Sequence, residues 1–225
     1  MSFPISHLLI ANKLLENRQF IINNLPQFYL GSLAPDAVQF SEVYDKKKSH
    51  LIYSDEIWGF VTENDKWQND VLDFLTANLE TAESDFLQGY CIHILTDISN
   101  NIRVWTSYRL SSQLSKNDNI YNSKYHKEQF MVDQELYQKT PFIDEIFRQL
   151  ENSVCFDFMN LVTKEEMEKI KKNILHVQYN NKPLAYTVDF KEFTYSQMPE
   201  FIKNTVDYIG KTIPPVIKKG HHKNA

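Results

Sequence analysis

The chain has 225 residues, of which 42% are hydrophobic, and its formal net charge is −5. This length and composition suffice for a packed core and exclude a globally disordered chain. With 5 glycines and no long basic run, the sequence gives no specific signal for a Gly-rich phosphate loop or for nucleic-acid binding. It also lacks a signal-peptide pattern and a stretch of roughly 20 apolar residues, so we expect a cytoplasmic protein with no transmembrane segment.

Hydrophobic periodicity predicts an all-α protein, a single-domain helical bundle. Helices are predicted over 4–22, 65–80, 83–116 with an interruption near Ser99–Asn101, 122–138, 141–152, 164 to about 177 behind a Thr163/Glu166 capping box, and 197–217. Residues 23–50 are predicted to be irregular, 180–183 a turn and 184–194 a short extended piece. We expect 1–152 to form a metal-binding helical core and 153–225 a C-terminal helical extension packed on the same domain.

One apolar stretch, Gly89 to Ile98, contains two polar side chains that bear chemistry, His93 and Asp97. Their four-residue spacing places imidazole and carboxylate on one face of a helix, one turn apart. A buried carboxylate is costly unless it is paired or bound to a cation. The stretch alone therefore leaves two readings open: half of a metal site, or a histidine–aspartate hydrogen bond inside a helical core.

Three further polar residues stand in apolar surroundings: His7 in the first predicted helix, Asp36 after a proline, and His50 after three lysines. Each has an ordinary structural reading, as a capping or core histidine or as a turn residue. Taken together with His93 and Asp97, they supply three imidazoles and two carboxylates. These are the ligand types that zinc and similar divalent metals prefer.

The order of these motifs resembles that of the zinc-dependent phospholipase C family. The motifs that carry the resemblance are His7, Leu30-Gly31-Ser32-Leu33-Ala34-Pro35-Asp36, Lys48-Ser49-His50, and Gly89-Tyr90 followed by His93-Ile94-Leu95-Thr96-Asp97. That family folds as an all-helical bundle related to the single-strand-specific zinc nucleases, and it holds up to three zinc ions.

The resemblance implies which residues bind each metal. Asp36, His50, His93 and Asp97 would bind one ion, and Asp97 would bridge to a second ion that His7 also ligates. Asp36 would serve both as ligand and as proton acceptor.

The third metal of the family is where this sequence departs from the pattern. The family has a histidine six residues beyond the helix aspartate, where this chain has Arg103. The family also has a His-xxx-Glu or His-xxx-Asp pair on the next helix, but here the residue four positions after His126 is Phe130, not an acid. The nearest candidates are His126 and Asp133, seven residues apart and so on one helical face, with Glu128 in reserve.

The sequence thus predicts a metal-dependent hydrolase of phosphoric esters that uses a metal-activated water. The cofactor would be one to three Zn²⁺ ions or another divalent transition metal, and the substrate a small-molecule or lipid phosphoester. One alternative is an HD-type phosphohydrolase, which normally needs an adjacent His-Asp dipeptide that this sequence lacks. Another is a helical interaction or structural protein with a degraded metal site.

Overall fold

The computed structural model confirms the all-α prediction. It describes residues 3–18, 20–116, 118–119, 123–179 and 194–213. Within these ranges the only β pairing is an isolated antiparallel bridge between Phe158 and Val162. No helix in the described ranges is long and apolar enough to cross a membrane.

In the described ranges, ten α-helices are joined by short loops and by short segments of other helix types. The α-helices are α1 (Pro4–Glu16), α2 (Leu25–Gly31), α3 (Lys46–Ser49), α4 (Asn64–Asn78), α5 (Ser84–Asn100), α6 (Thr106–Ser111), α7 (Lys124–Lys139), α8 (Ile143–Glu151), α9 (Lys164–Asn173) and α10 (Met198–Thr212). The other turns are 3₁₀ helices at Ala34–Phe40 and Tyr195–Gln197 and π-helices at Asn101–Trp105 and Ile174–Gln178.

Helix α5 is the centre of the molecule, because every residue from Asp85 to Asn100 is buried. It packs against α1, α2, α4 and α10. A helix enclosed on all sides must satisfy its polar side chains internally. His93 and Asp97 on α5 therefore lie in the core, as the apolar sequence around them indicates.

The crossing of α2 and α5 is unusually close and requires glycine on both helices. A Cβ at Gly31 would lie 2.1 Å from the Phe86 carbonyl oxygen, and a Cβ at Gly89 would lie 2.1 Å from that of Phe28. Only residues without a Cβ allow the two backbones to approach this far. The crossing brings the end of α2, at Ser32, next to His93 one turn further along α5.

The start of α1 is fixed from α7. Pro4 occupies the first turn, where its missing N–H costs nothing. The Asp133 carboxylate accepts hydrogen bonds from Ile5 N (3.2 Å) and from Ser6 N and Oγ (both 2.9 Å). These bonds satisfy the free amides at the helix N-terminus, and they fix the position of His7 in the next turn.

The main differences from the predicted elements lie in the first 50 residues. Helix α1 ends at Glu16, not near residue 22, and the region predicted to be irregular contains α2, a 3₁₀ helix and α3. These elements have four to seven residues, too few to produce a periodic hydrophobic pattern. Side-chain caps begin two of these short helices: Asn24 accepts a hydrogen bond from Gln27 N, and Asp45 accepts one from Lys48 N.

Elsewhere the predicted elements agree with the structure, except that the helix predicted to reach residue 116 ends at Ser111. The interruption predicted near Ser99–Asn101 is the π-helix that begins at Asn101, and the capping box between Thr163 and Glu166 is present. Helix α9 packs against the 3₁₀ helix at Ala34–Phe40, so part of the predicted C-terminal extension contacts the core. The predicted turn at 180–183, almost all of the extended piece at 184–194 and the end of the last predicted helix lie outside the described residues.

Candidate metal centre

Four chain segments bring five predicted ligands together around one space. His7 comes from α1, Asp36 from the 3₁₀ helix, His50 from the residue after α3, and His93 and Asp97 from α5. Two overlapping groups have ligand atoms within 4.8 Å of one another: His7 with Asp36 and His93, and His50 with His93 and Asp97. These buried groups could hold a metal ion.

Three of the ligand atoms, from His50, His93 and Asp97, converge as one group, and Asp36 Oδ1 lies near both imidazoles without joining that group. His50 Nε2 lies 3.3 Å from His93 Nε2, 3.4 Å from Asp36 Oδ1 and 3.5 Å from Asp97 Oδ2. His93 Nε2 lies 3.8 Å from Asp36 Oδ1 and 3.9 Å from Asp97 Oδ2. A tetrahedral Zn²⁺ with ligands at roughly 2.0–2.2 Å separates them by about 3.3–3.6 Å. The observed spacings need to contract by only a few tenths of an ångström.

Hydrogen bonds on the far side of both imidazoles leave their Nε2 atoms as acceptors. His93 Nδ1 lies 2.8 Å from the Ser32 carbonyl oxygen, so the ring must donate there. His50 Nδ1 lies 2.9 Å from Ser49 Oγ, whose own proton is donated to the Lys46 carbonyl oxygen at 3.3 Å. We therefore assign the Nδ1–H tautomer to both rings, the form in which Nε2 can bind a metal.

The charge state of the cluster is that of a cation site. Burial lowers the pKa of His93 to about 4, so this imidazole is neutral near pH 7. Burial alone would raise the pKa of Asp36 and of Asp97, but neighbouring positive charge, from Lys46 in the case of Asp36, holds both well below the usual range. Two carboxylates and two acceptor nitrogens then face one another, an arrangement that a divalent cation would stabilise.

His7 lies at the edge of this three-atom group. Its ring stacks on that of His93, with centroids 3.7 Å apart and planes 7° from parallel. His7 Nε2 is 3.7 Å from Asp97 Oδ1, the oxygen that does not face His50. The ring is buried, and neither of its nitrogens has a hydrogen-bond partner among the described residues. An unsatisfied buried imidazole next to a carboxylate oxygen is consistent with a second metal ligand pair.

The loop that carries His50 is held in place by two aromatic side chains. Trp67 Nε1 donates to the His50 carbonyl oxygen at 2.7 Å, and the Tyr90 hydroxyl donates to that of Ser49. Trp67 belongs to α4 and Tyr90 to α5. Two helices therefore help to position a ligand that stands at the C-terminal cap of the four-residue helix α3.

The cluster is open to solvent on one side only, at Asp36. The side chains of His7, His50, His93 and Asp97 are at most 1% exposed, whereas that of Asp36 is 17% exposed. Lys46 lies beside it, with Nζ 2.6 Å from Asp36 Oδ1. Any molecule that reaches the cluster from solvent therefore passes this carboxylate.

The structure does not group the predicted third-site residues with the other five. In the described ranges, His126, Asp133 and Glu128 belong to neither set of converging ligand atoms. Asp133 caps α1 and also accepts a hydrogen bond from the Tyr179 hydroxyl. The His126 ring packs on Phe3, with centroids 4.9 Å apart. Glu128 is fully buried, 3.5 Å from Lys124. The seven-residue spacing places residues on one face but does not identify what that face contacts.

Sequence reasoning assigned no role at the site to Ser32 and Ser49, and it favoured a solvated face for Lys46. Ser32 acts through its backbone, for which a side-chain pattern carries no signal. Lys46 belongs to a run of three lysines, which usually forms a solvated face. The Lys48-Ser49-His50 motif contains Ser49, but nothing in it indicates that the hydroxyl orients the ring.

Comparison of this chain with protein-family models, curated proteins and solved structures finds no match. The class of protein is therefore defined by the fold and the site: an all-α protein with a buried His/Asp cluster that could hold a metal ion.

Proposed function

We propose that this chain is a metal-dependent hydrolase of phosphoric esters, with Zn²⁺ as its metal. The observation that carries the proposal is the convergence of His50 Nε2, His93 Nε2 and Asp97 Oδ2, which lie 3.3 to 3.9 Å from one another. The two assigned tautomers support it further, because both rings direct lone pairs into the space between these atoms. The phosphoester chemistry rests on the family resemblance of the motifs.

A bound Zn²⁺ ion would supply a water of lowered pKa and would neutralise charge on a phosphoryl oxygen. Around it, His50 and His93 are held as neutral ligands by their Nδ1 partners, and Asp97 presents its other oxygen to His7. Both converging groups contain His93, whose Nε2 has one lone pair and can bind only one ion. A second ion would therefore depend on His7 and Asp97 Oδ1.

Asp36 has two roles in the proposal, ligand and proton acceptor, and the charges around it favour the first. Lys46 holds the pKa of Asp36 well below its usual range, which keeps the carboxylate ionised for metal binding and makes it a weak base. Its partial exposure places it where a substrate water would enter. The substrate class is a small-molecule or lipid phosphoester.

The first test is metal content. Protein purified without chelators is expected to contain one or more equivalents of a divalent transition metal, lost in His93→Ala and retained in His176→Ala, an exposed histidine outside the cluster. Zn²⁺ at 100 times its Kd stabilises a protein by about 2.7 kcal/mol. For a chain of this size that raises Tm by roughly 5–10 °C.

The second test is activity on chromogenic phosphate mono- and diesters with added metal. We expect hydrolysis by the wild type and background rates for His50→Ala. Equal background rates for both would refute the phosphoester assignment.

A second candidate is a structural metal site in a non-enzymatic helical protein. A buried ion held by protein ligands alone is typical of structural zinc, whereas catalytic zinc keeps a position for water. Bound metal without hydrolysis of any ester would favour this candidate. Metal-free protein that melts identically with and without chelator would exclude both.

A further inference from the structure

A cation and an indole lie on the solvent side of the cluster. The Lys46 ammonium is 4.5 Å from the centroid of the Trp58 ring, in addition to its ion pair with Asp36. The same indole packs edge-on against His50, with centroids 4.5 Å apart. Cation–π contact and ion pairing both limit the positions of a side chain that is otherwise highly flexible.

Lys46 differs from the two lysines that follow it on α3. Lys47 donates from Nζ to the Ser54 carbonyl oxygen at 2.8 Å, and Lys48 is exposed. The Lys46 side chain is only 12% exposed. An ammonium this close to a prospective metal is repelled by the ion once Asp36 binds it, and an anion between the two relieves that repulsion.

Trp58 carries a further donor on the ring that Lys46 and His50 contact. Its indole N–H is buried and finds no hydrogen-bond partner among the described residues. A buried donor left unsatisfied is unfavourable, and most such groups in proteins are paired with a partner or a ligand. Lys46 and Trp58 thus combine a positive charge and an unused N–H beside the metal centre.

We propose that Lys46 and Trp58 form an oxyanion subsite that gives this protein a preference for phosphomonoesters over phosphodiesters. The proposal rests on the proposed function of the metal centre. A phosphomonoester carries close to two negative charges at neutral pH, because its second pKa is about 6. Since it has a single ester bond, it also has three free oxygens. A diester has one charge and two free oxygens, so it gains less from an ammonium held beside the metal.

Binding of inorganic phosphate to the zinc-loaded protein tests the subsite without relying on turnover. Lys46→Met is expected to weaken phosphate binding by roughly tenfold, the usual effect of losing a hydrogen bond to a charged group. Trp58→Phe keeps the ring but removes the N–H, and is expected to weaken binding by roughly fivefold. Lys48→Met, on the same helix, is the matched control and should bind phosphate like the wild type.

Zn²⁺ affinity is measured on the same variants, so that failure of the subsite and failure of the metal centre are distinguishable. Lys46→Met should bind Zn²⁺ at least as tightly as the wild type, because a competing cation is removed from Asp36. Unchanged phosphate affinity in Lys46→Met, with zinc still bound, overturns the subsite and leaves the metal centre standing. Absence of zinc binding in the wild type overturns both.

Steady-state kinetics on p-nitrophenyl phosphate and bis-p-nitrophenyl phosphate provide the second readout. We expect Lys46→Met to raise KM for the monoester by roughly tenfold while KM for the diester changes by less than about twofold. A parallel rise for both esters overturns the monoester preference.

Discussion

Substitution of Gly89 by alanine tests whether the close crossing of α2 and α5 holds the metal centre in its geometry. The added Cβ would lie 2.1 Å from the Phe28 carbonyl oxygen and 2.9 Å from Ser32 N, both backbone atoms that no side-chain rotation can move. Cβ contacts below 3.0 Å are essentially never observed, so the two helices must separate by at least 0.9 Å.

Two effects of opposite sign set the size of the change in stability. Alanine in place of glycine favours a helix by up to about 1 kcal/mol. Overpacking a tight contact costs about 1–3 kcal/mol, and a clash with backbone lies at the upper end of that range. We therefore expect Gly89→Ala to lower the free energy of unfolding by about 2 kcal/mol.

The same separation acts on the site through Ser32. Its carbonyl oxygen accepts from His93 Nδ1 at 2.8 Å, and a shift of about an ångström lengthens this bond beyond hydrogen-bond range. Loss of such a supporting bond typically lowers metal affinity by about 10–100-fold.

Urea denaturation followed by circular dichroism, and zinc titration in competition with a chromogenic chelator, measure the two effects. Gly210→Ala in α10 is the control, since it makes the same substitution in a helix that carries no proposed ligand. Gly89→Ala protein with wild-type stability and wild-type zinc affinity would refute the account of the crossing.

Three further predictions concern residues around the site. Ser49→Ala removes the group that orients His50 and should lower zinc affinity by about 10–100-fold, measured by the same chelator competition. Asp133→Ala leaves the Ser6 amide and other donors unpaired and should lower the free energy of unfolding by about 2–4 kcal/mol in urea titrations, without a comparable change in intrinsic zinc affinity. Burial lowers the pKa of His126 in the folded protein to about 4. Between pH 6.5 and 4 the unfolded chain is therefore protonated at this histidine while the folded protein is not, so the free energy of unfolding falls as the pH drops through this range. His126→Gln should reduce that fall in urea titrations across this range, and an unchanged pH dependence would contradict the assigned shift.

The ligand set could be predicted from sequence because each ligand is a polar residue in an apolar context. His93 and Asp97 stand out in a stretch that is otherwise buried throughout, and the structure places both in the core. His7, Asp36 and His50 stand out more weakly, and only their combination indicated a site. The fold class followed from helical periodicity, which is strong in α8 and α10, whereas α2 and α3 are too short to show it.

The rest of the site depends on information that the sequence pattern does not contain. The tautomer of His93 is set by a backbone carbonyl, and the approach of that carbonyl depends on two glycines 58 positions apart in the chain. Asp133 has the right spacing from His126 for a shared helical face, but only the packing of α7 against α1 identifies its partners as amides and not a metal. Side-chain type predicts what a residue can do, whereas its partner in three dimensions decides which of those roles it has.

The structure also distinguishes the two readings of His93 and Asp97 that the sequence left open. In the core reading, this imidazole donates to the carboxylate one turn away. The observed Nε2–Oδ2 separation is 3.9 Å, longer than a hydrogen bond, and the donor proton is already directed to Ser32 from Nδ1. His93 Nε2 instead faces His50 Nε2 at 3.3 Å, with both atoms assigned as acceptors and carboxylate oxygens on either side. With this assignment, His50 Nε2, His93 Nε2 and Asp97 Oδ2 repel one another unless a cation lies between them, and this is the physical reason to look for a metal here.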